Sequence, residues 1–221
     1  MIKMFGIVAP RRGLNDQEFH DHWRHPHATY VMHIRPVRRY VQCHCIASEV
    51  FGTNDTGFAG VAELTFDSIA EAERSRTLPF LLEHNLPDER LFLDPDRRKR
   101  LIASEEVIQG GRHGPNVAMA DADWSDDNRP IFIKLLQFVQ TDGATPWANS
   151  DDAELGFRIG AFRHVRSYPV IAGEFLGVRE LYWPTLTAFE MGVRGDPEAF
   201  ATLRSRPAKS LVLLTQVERI I

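Results

Sequence analysis

Histidine is the residue type whose placement most strongly suggests chemistry. The 221-residue chain has nine histidines, and seven of them precede residue 110. Four of these, His20, His22, His25 and His27, lie close together, whereas the matching stretch of the second half, residues 150–162, has none. Because imidazole titrates near neutral pH, it is the usual general acid or base. The uneven distribution favours a functional interpretation, with a site in the first half.

His27 is the strongest candidate of the four. It follows Phe19 and Trp23 at four-residue spacing, so on a helix it is expected to point between that helix and a sheet. His20 and His22 are expected to face solvent or the helix rim. We predict His27 as a proton acceptor. The alternative is a core histidine whose ring is satisfied by one backbone carbonyl.

The second predicted strand carries further candidates on one face. Alternation places Tyr40, Gln42 and His44 together. The opposite face carries Val41, Cys43 and Cys45. Polar side chains would be poor lining for a barrel interior, so we expect the tyrosine face to look toward the helix. There Tyr40 could hold an oxyanion, His44 could assist His27, and Gln42 could bind substrate. Tyr40 could instead be a packing residue, because Tyr168 occupies the matching position of the second half.

Four other residues complete the predicted site. Glu63 is a charge inside an apolar strand, which requires a partner or a purpose. It is either catalytic or paired with Lys3 or Arg39. Trp23, Phe5 and Tyr30 are predicted to bind substrate as apolar walls.

The first half must position these residues with six elements. Strands are predicted at Ile2–Ala9, Val37–Ile46, Ala59–Phe66 and Leu101–Ile108. A helix begins at Asn15, with Glu18 three residues on, and is kinked at Pro26. A second helix, capped by Asp67, runs toward Pro79 and is followed by a helical turn at 80–84. This order, β-α-β-β-α-β, is the split βαβ pattern.

The second half repeats that order. Val37-Arg38-Arg39-Tyr40 parallels Val165-Arg166-Ser167-Tyr168, for example. We therefore predict an α+β chain of two ferredoxin-like βαββαβ half-domains, residues 1–109 and 130–221, joined by a linker at 110–129. The uncovered sheet faces should meet to form an intramolecular barrel with the helices outside. The first half would keep the chemistry, and the second would close the barrel.

Composition excludes several classes of function. A net charge of -4 and a pI near 6.1 argue against nucleic acid as a partner. No apolar run has the roughly 20 residues of a membrane span, and the N-terminus is charged too early for a secretory signal, so a cytoplasmic location is expected. The two cysteines, Cys43 and Cys45, are expected to be reduced thiols.

Cofactor motifs are sparse. His44 points away from both cysteines, and no CxxC or HExxH spacing occurs, which disfavours a metal or heme site. The sequence also lacks a Gly-rich phosphate loop and a GxSxG elbow, so a nucleotide cofactor and a hydrolase triad are poorly supported. We expect chemistry without a cofactor.

Three runs resemble a known family. Residues 14–28, which include the pattern His22-Trp23-Arg24-His25-Pro26-His27, together with 39–44 and 60–68, are similar to the EthD domain of the dimeric α/β-barrel superfamily. The resemblance implies a ferredoxin-like fold whose cavity lies between helices and sheet and often uses a His and a Tyr. It carries over to His27, Tyr40 and His44.

The function implied by this resemblance is a cofactor-independent lyase or isomerase acting on a small aromatic or lactone-like metabolite in a catabolic or polyketide-type pathway. Methylmuconolactone isomerases have a cysteine where this chain has Leu64, so that reaction is not transferred. Two alternatives stay open: a non-catalytic binding or accessory protein of an oxygenase system, and a cofactor-free or heme monooxygenase. The barrel could pair further as a homodimer.

Overall fold

The structure, a computed structural model of the chain, describes residues 1–109, 129–140 and 146–221. The described strands are β1 (Ile2–Val8), β2 (Arg39–Cys45), β3 (Gly60–Phe66), β4 (Lys99–Gln109), β5 (Ile131–Gln140), β6 (Arg163–Pro169), β7 (Phe175–Trp183) and β8 (Ser210–Arg219). The described α-helices are α1 (Asp16–His22), α2 (Ala28–Met32), α3 (Ile69–Ser75), α4 (Leu86–Phe92), α5 (Asp152–Arg158), α6 (Leu186–Gly195) and α7 (Pro197–Ser205). Short helical turns occupy Trp23–His27, Leu81–Asn85 and Pro95–Arg97.

The strands form a closed antiparallel barrel in the order β1-β3-β2-β8-β5-β7-β6-β4. Residues 1–109 contribute the neighbouring strands β4-β1-β3-β2, and residues 129–221 contribute β8-β5-β7-β6, the same spatial order. Two seams join these sets: β2 pairs with β8 from Val41↔Arg219, and β4 pairs with β6 from Ala103↔Pro169. The expected α+β class and the closure of a barrel within one chain are confirmed.

Alternating residues of the strands fill the barrel. Phe5 of β1 meets Phe138 of β5 edge to face, with ring centroids 5.7 Å apart. Val41 and Cys43 of β2 belong to the same buried cluster. Because successive side chains of a strand point to opposite faces, Tyr40, Gln42 and His44 must point outward toward the helices.

The barrel also encloses charged groups, so the expectation that its interior would exclude polar side chains was wrong. The Nζ of Lys134 lies 2.8 Å from both carboxylate oxygens of Glu63 and 3.1 Å from Glu180 Oε2. Lys3 Nζ lies 3.1 Å from the same Glu180 oxygen. Burial by itself would lower the pKa of Lys134, but the nearby carboxylates raise it overall. Buried charges persist when each one is paired in this way.

The local signals at helix ends were partly correct. Asn15 caps α1 and forms a reciprocal capping box with Glu18. The chain leaves helical geometry at His25, next to Pro26, as predicted. The cap of α3 is Ser68 rather than Asp67, and the predicted turn at 80–84 continues into α4. The predicted linker at 110–129 lies, except for its last residue, outside the described residues.

Candidate functional site

A cavity of about 230 Å³ lies between the outward face of the first-half sheet and the helices that cover it. The small side chains of Gly6 on β1 and Ala62 on β3, which are paired across the sheet, leave room for the cavity above the strands. Apolar side chains of the helical layer, including Val31 and Ile34, form one wall. Of the predicted site residues, Trp23, His27 and Tyr40 line this cavity.

Trp23 reaches the sheet because β3 begins with a glycine. A Cβ on Gly60 would lie 2.6 Å from the Trp23 ring, so no other residue fits there without displacement. The indole Nε1 then donates a hydrogen bond to the hydroxyl oxygen of Tyr40 at 2.9 Å. The indole and the phenol are thereby held together at the cavity.

Gln42 fixes the orientation of the Tyr40 hydroxyl. Its amide nitrogen donates to the carbonyl oxygen of Trp23 at 2.7 Å and to Tyr40 Oη at 2.9 Å. The carbonyl can only accept, so the amide nitrogen is assigned unambiguously. Tyr40 Oη therefore accepts two hydrogen bonds, and its own proton has no acceptor among the residues that the structure describes. Burial raises the pKa of Tyr40 well above its usual range, so the phenol remains a proton donor.

His27 is held by a carboxylate. Its Nδ1 lies 2.8 Å from Asp88 Oδ2, and the other oxygen of Asp88 lies 2.9 Å from His22 Nε2. A carboxylate only accepts hydrogen bonds, so Nδ1 of His27 carries the proton and Nε2 is left as the basic atom. Burial lowers the pKa of His27, and the hydrogen bond to Asp88 opposes this only in part. The ring is therefore neutral, as a general base must be.

His44 does not line the cavity; its side chain contacts Gln42, which in turn contacts Tyr40. Its Nε2 is 3.2 Å from Gln42 Oε1, and its Nδ1 is 2.7 Å from His20 Nδ1. Burial, followed by the charge of Arg24, lowers the pKa of His44 to about 3. His20 and His22, which were expected to face solvent or the helix rim, are both half-buried: His20 contacts His44, and His22 contacts Asp88.

Three predicted site residues lie away from the cavity. Phe5 points into the barrel, and the β1 residues that line the cavity are Met4, Gly6 and Val8. Glu63 also points inward, where its carboxylate lies 2.8 Å from Lys134 Nζ of β5 and forms a longer ion pair, 3.7 Å, with Lys3, one of the two partners predicted for it. Tyr30 is on the helical layer, where its ring stacks on His84 at 6.4 Å instead of lining the cavity.

Several residues of the site were missed in the sequence. Asp88 is 61 residues from His27 in the sequence. It stands in a run of three charged residues, 88–90, which is typical of the solvated face of a helix. Asn85, Glu89, Arg98 and Arg100 also line or border the cavity. The burial of a helix stripe that includes Phe92 could have identified Asp88, but the predicted helical turn ended at residue 84, before α4 begins.

In the second half, apolar side chains occupy the matching space between helices and sheet. Apolar side chains of α5, α6 and α7 meet the outward face of β5 and β7 there, including Leu155, Phe189, Phe200, Leu135 and Trp183. This difference agrees with the histidine distribution.

Within the described ranges, no group of three or more His, Cys, Asp or Glu side chains is arranged to hold a metal ion. Neither thiol of the chain is in a disulfide. None of the helices that the structure describes is long and apolar enough to span a membrane.

One comparison with known proteins matches part of the first half to a family model. The EthD domain model matches residues 11–96, which include Trp23, His27, Tyr40 and Asp88. No curated protein matches the chain.

Two solved structures share the fold. An anthrone oxidase-like protein has a TM-score of 0.58 at 11% identity, covering 99% of this chain and 93% of its own. A monooxygenase-like protein from Fusobacterium nucleatum subsp. nucleatum has a TM-score of 0.52 at 6% identity, covering 98% and 91%. At these identities the similarity is one of fold.

Proposed function

We propose, from the premise that residues 11–96 form an EthD domain, that the chain is a cofactor-independent lyase or isomerase. Its substrate would be a small aromatic or lactone-like metabolite. The observation that carries the proposal is the buried pair of His27 and Asp88, 2.8 Å apart, of which His27 lines the cavity. A neutral imidazole oriented by a carboxylate is suited to remove a proton from an acidic C–H or O–H.

Tyr40 supplies the second part of the mechanism. When His27 Nε2 takes a proton from carbon, negative charge moves to the adjacent carbonyl oxygen of the substrate. The Tyr40 hydroxyl, whose lone pairs are occupied by Trp23 and Gln42, has its proton free to donate to that oxygen. The imidazolium of His27 can then return the proton to another atom or to a leaving group, which completes isomerisation or elimination.

His44 and Gln42 are positioning residues in this proposal. His44 contacts Gln42, Gln42 orients Tyr40, and only Tyr40 faces the cavity. We do not retain Glu63, Phe5 or Tyr30 in the site, because their side chains lie elsewhere.

We further propose that the chain is a pair of ferredoxin-like halves with divided roles. Each half supplies four strands in the same spatial order. The second half, whose helix-to-sheet space is filled, would close the barrel, and the first half would hold the substrate.

The test is proton exchange followed by turnover. Wild type and His27→Gln are incubated in D₂O with a panel of aromatic ketones, phenols and lactones, and loss of the acidic C–H signal is followed by NMR. Wild type should exchange or convert at least one compound, and His27→Gln should be slower by about 10²–10⁴. His25→Gln, which changes an exposed histidine of the same segment, is the control.

Unaltered recovery of a compound that binds would contradict the enzymatic proposal and favour the accessory binding protein. Equal rates in wild type and a folded His27→Gln variant would remove the assigned role of His27.

A cofactor-free monooxygenase is the second candidate, and the fold shared with the anthrone oxidase-like and monooxygenase-like proteins favours it. The same proton removal would produce a carbanion that can react with O₂. A ring CH₂ would become C=O, with one oxygen atom retained and the other released as water. Stoichiometric oxygen consumption that depends on His27 would support this candidate over the lyase or isomerase.

A further inference from the structure

Guanidinium groups crowd one side of the cavity. Arg76 follows α3, Arg98 precedes β4, and Arg100 lies on β4, and all three line the cavity. Arg100 faces outward because its neighbour Leu101 belongs to the buried cluster inside the barrel. The three side chains come from separate elements, so the tertiary fold brings them together.

Positive charge is in excess here. Arg98 forms an ion pair with Glu89, from Nη1 to Oε2 at 2.5 Å. Among the residues that the structure describes, no carboxylate lies within ion-pair distance of Arg76 or Arg100. Burial, together with the charges of Arg76 and Arg98, lowers the pKa of Arg100. Two guanidinium groups therefore face the cavity without a counter-ion.

Asn85 adds a buried acceptor to the same cavity. Its amide nitrogen donates to Glu89 Oε1 at 3.1 Å, which fixes the orientation of the amide. The side chain is 3% exposed, and its Oδ1 has no hydrogen-bond partner. Leaving a buried acceptor without a hydrogen bond destabilises the protein, so such an atom at a cavity indicates a donor supplied by a ligand.

We propose that this cavity takes a small aromatic carboxylate that also carries a hydroxyl group. The carboxylate is bound by Arg76 and Arg100, because guanidinium groups match the geometry of a carboxylate. The hydroxyl donates to Asn85 Oδ1. This inference rests on the proposed function, since it names the substrate class for the same site.

The apolar part of the cavity fits the aromatic body of such a ligand. Trp23, Val31, Ile34 and Leu81 line it, and the volume of about 230 Å³ is below that of pockets for drug-sized ligands. The ligand is thus oriented with its charged end at β4 and its ring near Trp23.

Calorimetric titration of the full chain tests the inference with matched probes. Benzoate is compared with benzamide, and 4-hydroxybenzoate with 4-hydroxybenzamide. Each acid should bind at least tenfold more tightly than its amide, and 4-hydroxybenzoate more tightly than benzoate. Arg100→Gln and Arg76→Gln should each reduce the acid preference to threefold or less, and Asn85→Leu should remove the preference for the hydroxyl group.

Arg74→Gln is the matched control. Arg74 is on α3 two residues before Arg76, pairs with Glu71 and does not line the cavity, so its loss should leave the acid preference unchanged. Urea midpoints of all variants identify any that do not fold. Equal affinities for acids and amides, no binding by either acid, or an acid preference that survives in folded Arg76→Gln and Arg100→Gln variants would overturn the inference.

The two proposals fail separately. If the acids bind tightly, His27→Gln binds them equally well and no compound is turned over, the carboxylate site is supported and the proposed enzymatic activity is contradicted. If an uncharged compound is turned over and the rate depends on His27 but not on Arg76 or Arg100, the enzymatic activity is supported and the carboxylate site is contradicted.

Discussion

Replacing Asp88 with asparagine should change which nitrogen of His27 carries the proton. In wild type the carboxylate accepts one hydrogen bond from His27 Nδ1 and one from His22 Nε2. The carboxamide of Asp88→Asn keeps the shape of the side chain but has only one accepting oxygen. If its NH₂ group faces His27, Nδ1 must become the acceptor, and the proton moves to Nε2.

The size of the effect follows from the contact. A hydrogen bond to a charged group contributes about 1.5–3 kcal/mol, which corresponds to a ratio of roughly 10 to 150 between tautomers. In wild type, more than about 90% of the molecules should thus have the His27 proton on Nδ1. Asp88→Asn should lose most of that preference. It should also lower the free energy of unfolding by about 1–3 kcal/mol, because two charged hydrogen bonds become neutral or are lost.

Long-range ¹⁵N–¹H NMR measures the tautomer directly and needs no substrate. The two ring nitrogens of His27 should have distinct shifts in wild type and partly averaged shifts in Asp88→Asn. Asp21→Asn is the control, since Asp21 is exposed and, among the residues that the structure describes, its carboxylate contacts only Gln17 and Arg24. Once a substrate is identified, kcat of Asp88→Asn should fall by about 10²–10⁴ with little change in KM.

Two results would refute this reasoning. One is a wild-type His27 with its proton on Nε2, which could not act as the base. The other is a folded Asp88→Asn variant with the wild-type tautomer and wild-type turnover.

Other predictions concern the barrel and the pH dependence. Lys134→Met should destabilise the fold by about 3–5 kcal/mol in urea titrations, because it leaves Glu63 and Glu180 with too little positive charge inside the barrel; a loss under about 1 kcal/mol would contradict the buried network. Since burial lowers the pKa of His44 from about 6.5 to about 3, the unfolded chain binds a proton in that interval that the folded chain does not. Unfolding free energy should thus be level above pH 6.5 with respect to this group and fall as the pH drops toward 3, and His44→Gln should make the fall measurably shallower than in wild type. Gly60→Ala should cost about 1–3 kcal/mol or more, because the new methyl group collides with the neighbouring strand and an indole ring; an unchanged thermal midpoint would contradict the close approach.

Local patterns in the sequence were sufficient to predict those features of the fold that depend only on residues close together in the chain. The Asn15 and Glu18 capping box needs only three-residue spacing, and the chain direction near Pro26 needs only the missing N–H of proline. Alternation along β2 likewise placed Tyr40, Gln42 and His44 on one face. The four-residue spacing from Phe19 and Trp23 also predicted the burial of His27, although the helix is interrupted at His25 between Trp23 and His27.

Contacts between residues that are distant in the sequence could not be predicted from such patterns. Asp88 has no periodic relation to His27, and its role appears only when α4 packs on α1 and the turn after it. Glu63 could have faced either side of β3, because a strand pattern shows that two faces differ without showing which one is enclosed.

The sequence by itself determined the order of the elements, the repeat of that order, and the half in which the histidines concentrate. Tertiary structure alone decided that barrel closure puts Glu63 and Phe5 inside, opposite Lys134 and Phe138 of the second half. It also decided that a carboxylate 61 residues away holds His27. The physical reason is that secondary structure follows local spacing, whereas the partner of a buried charge is chosen by packing across the whole chain.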